Sequence, residues 1–323
     1  MAVNYLILLL TTRCNLACAY CCHGDQEPAD LEPAVLEKTF EILARDQEPL
    51  HIQLTGGEPL LVPHLIEEIA QKARKLPRAS RLSLQTNATL LDRPLVKLLQ
   101  KYRIDLGISL DGPPAVNDLL RGRSRELFRG LACLEEAGCP FTATAAVSRE
   151  NCRYLPQTAL VLAQYSMAIG LGLDLLVNKG RCLASPPERA DLIAGAGRLV
   201  QVLDQINLRR LSPLLLRERE YLRQAASEGR PHFCEACRRR SLAVTPLGRM
   251  YPCGQTAFRE EFSLGTVFDQ NWREAAWPER VLFSEKCRAC FLKGRCPGEC
   301  PSRLYFNESK NPDLACDLYR TLA

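Results

Sequence analysis

Three cysteines at offsets of four and three, Cys14, Cys18 and Cys21, follow directly on an apolar, strand-like run from Tyr5 to Leu10. Three thiolates hold three corners of a cubane iron–sulfur cluster, whose full ligation takes four. A metal held by three protein ligands keeps an open position, and open positions serve chemistry rather than scaffolding. Tyr20, one residue before the last thiol, places an aromatic ring where it can flank a bound ligand. The bland reading of the same stretch is a zinc site of Cys14, Cys18, Cys21 or Cys22, and His23. The rest of the chain decides between them.

The chain has 323 residues, enough to bury a large core and to hold two domains. Its net charge of +5, from 42 basic and 37 acidic residues, is a mild excess and gives no sign of nucleic-acid binding. No basic region precedes the first apolar run, and that run is far shorter than the roughly 20 residues that span a bilayer. Neither secretion nor a membrane anchor is expected. Sixteen cysteines in a cytoplasmic, reducing compartment read as metal ligands rather than as a disulfide framework.

Strand-like and helix-like runs alternate through the first two-thirds. The expected strands are Tyr5–Leu10, His51–Thr55, Arg81–Gln85, Asp105–Leu110, Phe141–Val147 and Gly172–Val177. Amphipathic stretches lie between them: one around Leu36, Phe40 and Leu43, then about Pro63–Leu76, Asp92–Lys101, Leu127–Ala137 and Leu155–Met167. Such alternation implies right-handed βαβ units and one parallel sheet. Six units are fewer than the eight of a closed barrel, so the expected α/β fold is a partial, laterally open (β/α)6 barrel of TIM-like kind. From Ala184 to about Gly229 the chain reads as helical. The domain boundary is expected within 228–231, giving a barrel at 1–229 and a second domain at 230–323.

Chemistry in parallel α/β folds sits at the C-terminal ends of the strands, and the unusual residues fall there. Cys14 follows the first strand. Gly56, Gly57 and Glu58 follow the second. The glycines let a backbone approach a ligand, and Glu58 supplies an anion for an ammonium group; the plain alternative is a turn. Gln85 and Asn87 end the third strand, Ser109 and Asp111 the fourth. The alternative for Gln85 and Asn87 is that they satisfy loop amides, and Asn87 and Asp111 are also common turn formers.

Eight cysteines fall after residue 233: Cys234, Cys237, Cys253, Cys287, Cys290, Cys296, Cys300 and Cys316. Apolar content between them is low for a self-sufficient core, so metals are expected to hold the region together. Two four-thiolate zinc ribbons would use the same count. Ser241–Gly254 reads as a hairpin turning at Pro246–Gly248. Cys22, Cys133, Cys139, Cys152 and Cys182 remain, and read as small buried apolar residues.

The first motif, with Tyr20 in its aromatic position, resembles that of the radical S-adenosylmethionine (radical SAM) enzymes. The resemblance implies that Cys14, Cys18 and Cys21 bind a [4Fe–4S] cluster whose open iron chelates SAM. Reductive cleavage of SAM then yields a 5′-deoxyadenosyl radical that abstracts hydrogen. The stretch from Thr55 to Pro59 is similar to the family's site for the SAM amino group, at Gly56, Gly57 and Glu58. Leu84–Leu91 and Ile108–Pro113 look like segments of the subgroup holding peptide maturases and anaerobic sulfatase-maturating enzymes. There the residue matching Ser109 contacts the SAM ribose, and those matching Gln85 and Asn87 line the cavity.

The C-terminal cysteines resemble a SPASM domain. Cys237, Gly248 and Cys253 match its first half; Cys287, Cys290, Cys296 and Cys300 match the second, and Cys316 follows. By that resemblance Cys234, Cys237, Cys253 and Cys300 bind one auxiliary [4Fe–4S] cluster and Cys287, Cys290, Cys296 and Cys316 another, making three in all. The implied reaction is oxidative modification of a residue in a peptide or protein, with an electron donor such as flavodoxin or ferredoxin. Many peptide maturases carry an N-terminal leader-binding domain; here the first strand begins at once, so a leader peptide is expected to need a separate leader-binding protein or other surfaces of this one. Formylglycine formation in sulfatases is the alternative. Enzymes of that kind carry an Asp after the cysteine matching Cys253, whereas this chain has Gly254. A zinc-stabilised interaction protein is the alternative of another class.

Overall fold

The computed structural model describes residues 2–181, 183–228, 232–269, 272, 287, 289–308 and 313–323. Cys182 and most of the boundary expected within 228–231 lie outside them. Six parallel strands form where the sequence places them: β1 (Tyr5–Leu9), β2 (Leu50–Thr55), β3 (Ser80–Thr86), β4 (Asp105–Ser109), β5 (Phe141–Val147) and β6 (Ala168–Leu175). The intervening helices are α1 (Pro33–Leu43), α2 (Pro63–Ala73), α3 (Arg93–Lys101), α4 (Pro114–Leu120), α5 (Ser124–Glu136) and α6 (Leu155–Leu162). Proline opens α1, α2, α3, α4 and α6, where its fixed φ suits the first turn and its missing N–H costs nothing.

Alternation along each strand sets the two faces of the sheet. Leu6, Leu8, Ile52, Leu54, Leu82, Leu84, Leu106 and Ile108 are buried in one continuous core. Full burial of each such side chain stabilises by about 1.5–3 kcal/mol relative to exposure. In β2 and β3 the residues between them are polar and half-buried or exposed, and several bond across the other face. Tyr5 Oη donates to Gln53 Oε1 at 2.8 Å, and His51 Nε2 lies 2.7 Å from Ser83 Oγ. Gln85 Nε2 donates to Ser109 Oγ at 2.9 Å. The sheet order is β7-β6-β5-β4-β3-β2-β1-β8-β9, and among the described residues its two edges do not pair, so the barrel they form is open.

Four features depart from the expected pattern. First, α6 stops at Leu162 and β6 starts at Ala168, earlier than expected. Arg210 ends that helix. Its guanidinium donates to the carbonyls of Ala163, Tyr165, Ser166 and Ala168 at 2.8–3.2 Å, groups a longer helix would need for itself. Second, the stretch expected to be helical from Ala184 to Gly229 divides into α7 (Arg189–Asn207) and α8 (Arg217–Glu228). Between them β7 (Leu215–Leu216) adds to the sheet beside β6. Third, α4 interrupts what reads as loop after β4; Gly122 (φ 81°) and Arg123 (φ 54°) separate it from α5. Fourth, the hairpin of β8 (Ser241–Val244) and β9 (Met250–Tyr251) is not apart from the barrel. β8 pairs with β1 in parallel, Ser241 beside Tyr5. Gly248, at φ 82°, turns the hairpin.

The chain ends in α9 (Pro301–Phe306) and α10 (Asp313–Leu322), which packs on α7 and α8. Among the described residues no helix is long and apolar enough to cross a membrane.

Candidate active site

The loop carrying Cys14, Cys18 and Cys21 is fastened at both ends. At its start Thr11 Oγ1 donates to Asp30 Oδ1 at 2.6 Å, and Arg13 Nε donates to the same atom at 3.0 Å. Further on, Ala19 N donates to Leu120 O at 2.9 Å and Leu183 N donates to Ala19 O at 2.8 Å. The loop after β2 closes against it. Gly57 N donates to Thr11 O at 2.7 Å and Glu58 N to Arg13 O at 2.9 Å, extending the β1–β2 pairing past the strands. Both glycines are required by this contact. A Cβ on Gly57 would stand 2.1 Å from Arg13 O. One on Gly56, which has φ 145°, would stand 2.4 Å from Thr11 O.

Glu58 is held from within the protein. Its side chain is buried, and three donors from the protein itself occupy the carboxylate. Leu60 N and Thr86 Oγ1 donate to Oε1 at 3.1 and 2.6 Å, and Asn87 N donates to Oε2 at 2.8 Å. Burial raises its pKa despite these donors. Glu58 therefore stitches the end of β3 to the loop after β2. Asn87 continues the stitch: its Nδ2 donates to Asn15 Oδ1 at 2.9 Å, inside the cluster loop. Gln85 and Ser109 remain half-buried on the polar face of the sheet.

Tyr20 is anchored by a residue the sequence reading treats as a turn former. Its hydroxyl donates to Asp111 Oδ2. Asp111 is fully buried, with Oδ1 accepting from Ala146 N at 2.8 Å. Its counter-ion is Arg121, at the end of α4, which donates from Nε to Oδ2 at 2.7 Å. The guanidinium lies 5.3 Å from the centroid of the Tyr20 ring, and its Nη1 reaches Cys18 Sγ at 3.8 Å. Burial raises the Cys18 pKa, and Arg121 opposes that rise by favouring the thiolate. Sequence reasoning misses Arg121. Its only signal is position, ten residues after Asp111 and next to the glycine that ends a short proline-led helix.

The thiols fall into three electrostatic neighbourhoods. Cys14 feels Cys18 and Cys21. Cys237 feels Cys234, Cys253 and Cys300. Cys316 feels Cys287, Cys290 and Cys296. The Sγ atoms of Cys234 and Cys237 are 3.7 Å apart; sharing a proton raises the pKa of Cys234 and lowers that of Cys237. Burial pushes Cys300 and Cys316 to about 11. Cys22 is also pushed up to about 11 by burial. The His23 ring packs edge-on against Phe258, 5.5 Å between centroids. Among the described residues no three His, Cys, Asp or Glu converge tightly enough to hold a single ion. Of the remaining cysteines, Cys139 and Cys152 are buried and Cys133 is intermediate.

The donor set fits the cofactors the motif implies: three neighbouring thiols on a pinned loop, beside a glycine-led loop and a polar barrel face. Comparison with known proteins agrees. The Radical SAM superfamily profile matches residues 8–159. An uncharacterised protein of Methanocaldococcus jannaschii is 32% identical over 55% of this chain and 64% of its own length. The subtilosin biosynthesis protein AlbA of Bacillus subtilis is 26% identical over 88% of this chain and 66% of its own length. The chain thus spans just under two thirds of these two relatives. A PqqA peptide cyclase of Gluconobacter oxydans is 25% identical over 97% of this chain and 90% of its own length.

Among solved structures, anSMEcpe with bound AdoMet superposes with a TM-score of 0.81 at 19% identity, over 100% of this chain and 92% of that one. Streptococcus suis SuiB bound to its precursor peptide SuiA gives 0.68 at 18%, over 97% and 74%. These show the same fold, a mostly parallel α/β sheet. Residues 8–159 of this chain thus form a radical SAM domain.

Proposed function

We propose that this chain uses a SAM-derived radical to modify a residue oxidatively in a peptide or protein. The observation that carries the proposal is the pinned three-thiol loop at the C-terminal end of β1 in an open barrel; the electrostatic neighbourhoods of the eight further thiols support it. When bound, SAM and a reduced [4Fe–4S] cluster supply a 5′-deoxyadenosyl radical, which abstracts hydrogen.

In this reading Cys14, Cys18 and Cys21 hold the first cluster, and Arg121 favours the thiolate of Cys18. Gly56 and Gly57 bring backbone to the SAM side, Gln85 and Ser109 offer polar contacts to it, and Tyr20 is held at the loop by Asp111. Asn87 and Glu58 hold the loops in register rather than touching SAM. The open edge of the barrel admits a polypeptide. Cys234, Cys237, Cys253 and Cys300 form one auxiliary ligand set, and Cys287, Cys290, Cys296 and Cys316 the other. These sets belong to 230–323, and the radical chemistry to 1–229. Two closed clusters suit removal of an electron from a substrate radical.

The names of the relatives support a peptide substrate: AlbA serves subtilosin biosynthesis and the cyclase acts on the PqqA peptide. Solved neighbours were captured with peptides bound. A low-potential donor such as flavodoxin or ferredoxin, a separate leader-binding protein and a cytoplasmic site of action complete the proposal. Gly254 leaves no carboxylate at the position where sulfatase-maturating enzymes carry their Asp; a Cβ there would meet only Ile7 Cγ2, at 3.6 Å.

Anaerobic reconstitution followed by iron, sulfide and zinc analysis tests the proposal. The expected result is iron for three [4Fe–4S] clusters and dithionite-dependent release of 5′-deoxyadenosine. Zinc at full occupancy, or no SAM cleavage by iron-loaded protein, overturns it.

A further inference from the structure

A cavity of about 360 Å3 lies between the cluster loop, the segment after β6 and the stretch after β9. Its walls include Cys22, His23, Lys179, Arg181, Phe258 and Arg259. Lys179 is only 5% exposed. Its Nζ donates to Ala257 O at 2.5 Å and lies 5.6 Å from the Phe306 ring centroid. The other two cations of the cavity are neutralised at home: Arg181 pairs with Asp25, and Arg259 with Glu261 at 2.6 Å. No carboxylate among the described residues pairs with Lys179. The anionic partners it feels are the thiols of Cys22, Cys253 and Cys21, and a buried ammonium with a carbonyl but no carboxylate beside it can still take one, because buried charges are normally paired.

The cavity is tied to the radical site. Gly180 has φ 74°, and a Cβ on it would stand 2.1 Å from Cys21 O. Arg181 N donates to the same carbonyl at 3.1 Å. Lys179 is therefore fixed one residue from a backbone contact with the last thiol of the motif. The volume lies within the range of small-ligand pockets, and suits one side chain of a bound peptide.

We propose that this cavity receives a carboxylate of the substrate peptide, with Lys179 as its counter-ion. The proposal rests on the peptide-modifying reading. It specifies the substrate class as a peptide bearing an Asp or Glu, or a free C-terminus, close to the residue that loses hydrogen. A charge-assisted pair made in a buried site is stronger than a neutral contact, so the carboxylate contributes to selection as well as to affinity.

The test compares two probe peptides, N-acetyl-Gly-Glu-Gly-amide and its Gln counterpart, titrated calorimetrically into the SAM-loaded holoprotein. The Glu peptide is expected to bind at least about tenfold more tightly. Lys179→Met should reduce that ratio to near one, and Lys179→Arg should largely retain it, with SAM affinity unchanged in both. Equal affinities on the wild type, or binding of neither probe, overturn the proposal, and this arm needs no variant to fold. A ratio that survives Lys179→Met also overturns it. A shifted cluster potential in Lys179→Met with the ratio intact would assign the lysine to charge balance of the thiolates. Loss of SAM cleavage in the wild type would instead defeat the radical reading, so the two failures are separable.

Discussion

Arg121 Nε donates to Asp111 Oδ2 at 2.7 Å while Nη1 of the same guanidinium stands 3.8 Å from Cys18 Sγ. One cation thus serves a buried carboxylate and a cluster thiol. Removing it by Arg121→Met leaves Asp111 charged and unpaired in the core. Breaking one side of a buried pair costs about 3–5 kcal/mol. The expected result is a large loss of stability in urea titration, partly restored in the double variant Arg121→Met, Asp111→Asn. Arg121→Lys should keep the fold but lose the fork geometry. Its first cluster should show a changed midpoint potential, because the charge beside Cys18 has moved. An unchanged potential in a folded Arg121→Lys protein would separate the ion pair from the cluster.

The three motif thiols are not interchangeable with their neighbour Cys22. Cys14→Ala, Cys18→Ala or Cys21→Ala should abolish reductive cleavage of SAM while leaving auxiliary iron in place. Cys22 is half-buried, and the nearby Lys179 opposes the rise in its pKa; Cys22→Ala should still release 5′-deoxyadenosine. Chromatographic quantification of that nucleoside checks all four variants.

The fold was legible in the sequence where burial alone decides it. Ile52 and Leu54, like Leu82 and Leu84, alternate with polar residues, and alternation of that kind specifies both strand and face. The end of α6 was not legible, because it is set by Arg210, some 45 residues downstream in sequence. Nor was the start of β6. Gly170 and Gly172 argue locally against a strand, yet the Arg217 guanidinium fills the space beside Gly172, where a Cβ would lie 2.7 Å from Cζ. At the site, spacing revealed the thiols and the strand-end residues. It did not reveal Arg121 or Lys179, whose significance is a distance to something far along the chain. Glu58 shows the converse: its type and position fit an ammonium ligand, and the sequence does not disclose the three donors that hold its carboxylate.

That difference makes Glu58 separable by experiment. In Glu58→Gln one carboxylate oxygen becomes an amide NH2 facing donors, and a buried donor left unsatisfied costs about 1–3 kcal/mol. Stability should fall, while SAM affinity of the folded holoprotein should stay within about threefold. A tenfold weaker SAM dissociation constant with unchanged stability would return Glu58 to the ammonium site. Stability should also depend on pH in a particular direction. Burial raises the folded pKa of Glu58 above its ordinary value of 4.5, so the folded state holds its proton where the unfolded state has released it. Stability from this group is complete below the unfolded pKa and declines as pH rises toward the folded one. Glu58→Gln should remove that part of the decline in denaturant titrations between pH 4 and neutrality.

Gly57 probes the loop contact directly. In Gly57→Ala the new Cβ meets Arg13 O, a backbone atom that moves only with the cluster loop. Overpacking of this kind costs about 1–3 kcal/mol. Here the displaced segment carries Cys14, so the expected signature is local: poor loading of the first cluster with both auxiliary sets still iron-filled. Electron paramagnetic resonance after reduction distinguishes the clusters. Normal loading would show that the loop adapts without the glycine.

The C-terminal thiols provide the last test, because their two sets predict different losses. Cys290 belongs with Cys287, Cys296 and Cys316, and its pKa falls below the ordinary value because, against burial, Leu292 N–H and Arg320 stabilise the thiolate. Cys300 belongs with Cys234, Cys237 and Cys253, and is buried. Cys290→Ala should lower iron to about two clusters' worth and loosen α10, since metal binding and folding are coupled in such regions. Cys300→Ala should also remove one cluster, but the disturbance should reach β8, which pairs with β1. Hydrogen exchange should therefore rise in α10 for the first variant and in β8 for the second. Both should keep some cleavage of SAM, because radical generation needs only the open cluster, and both should lose oxidised product, which must hand an electron away. Product formation at the wild-type rate by either variant would leave that set as a structural staple.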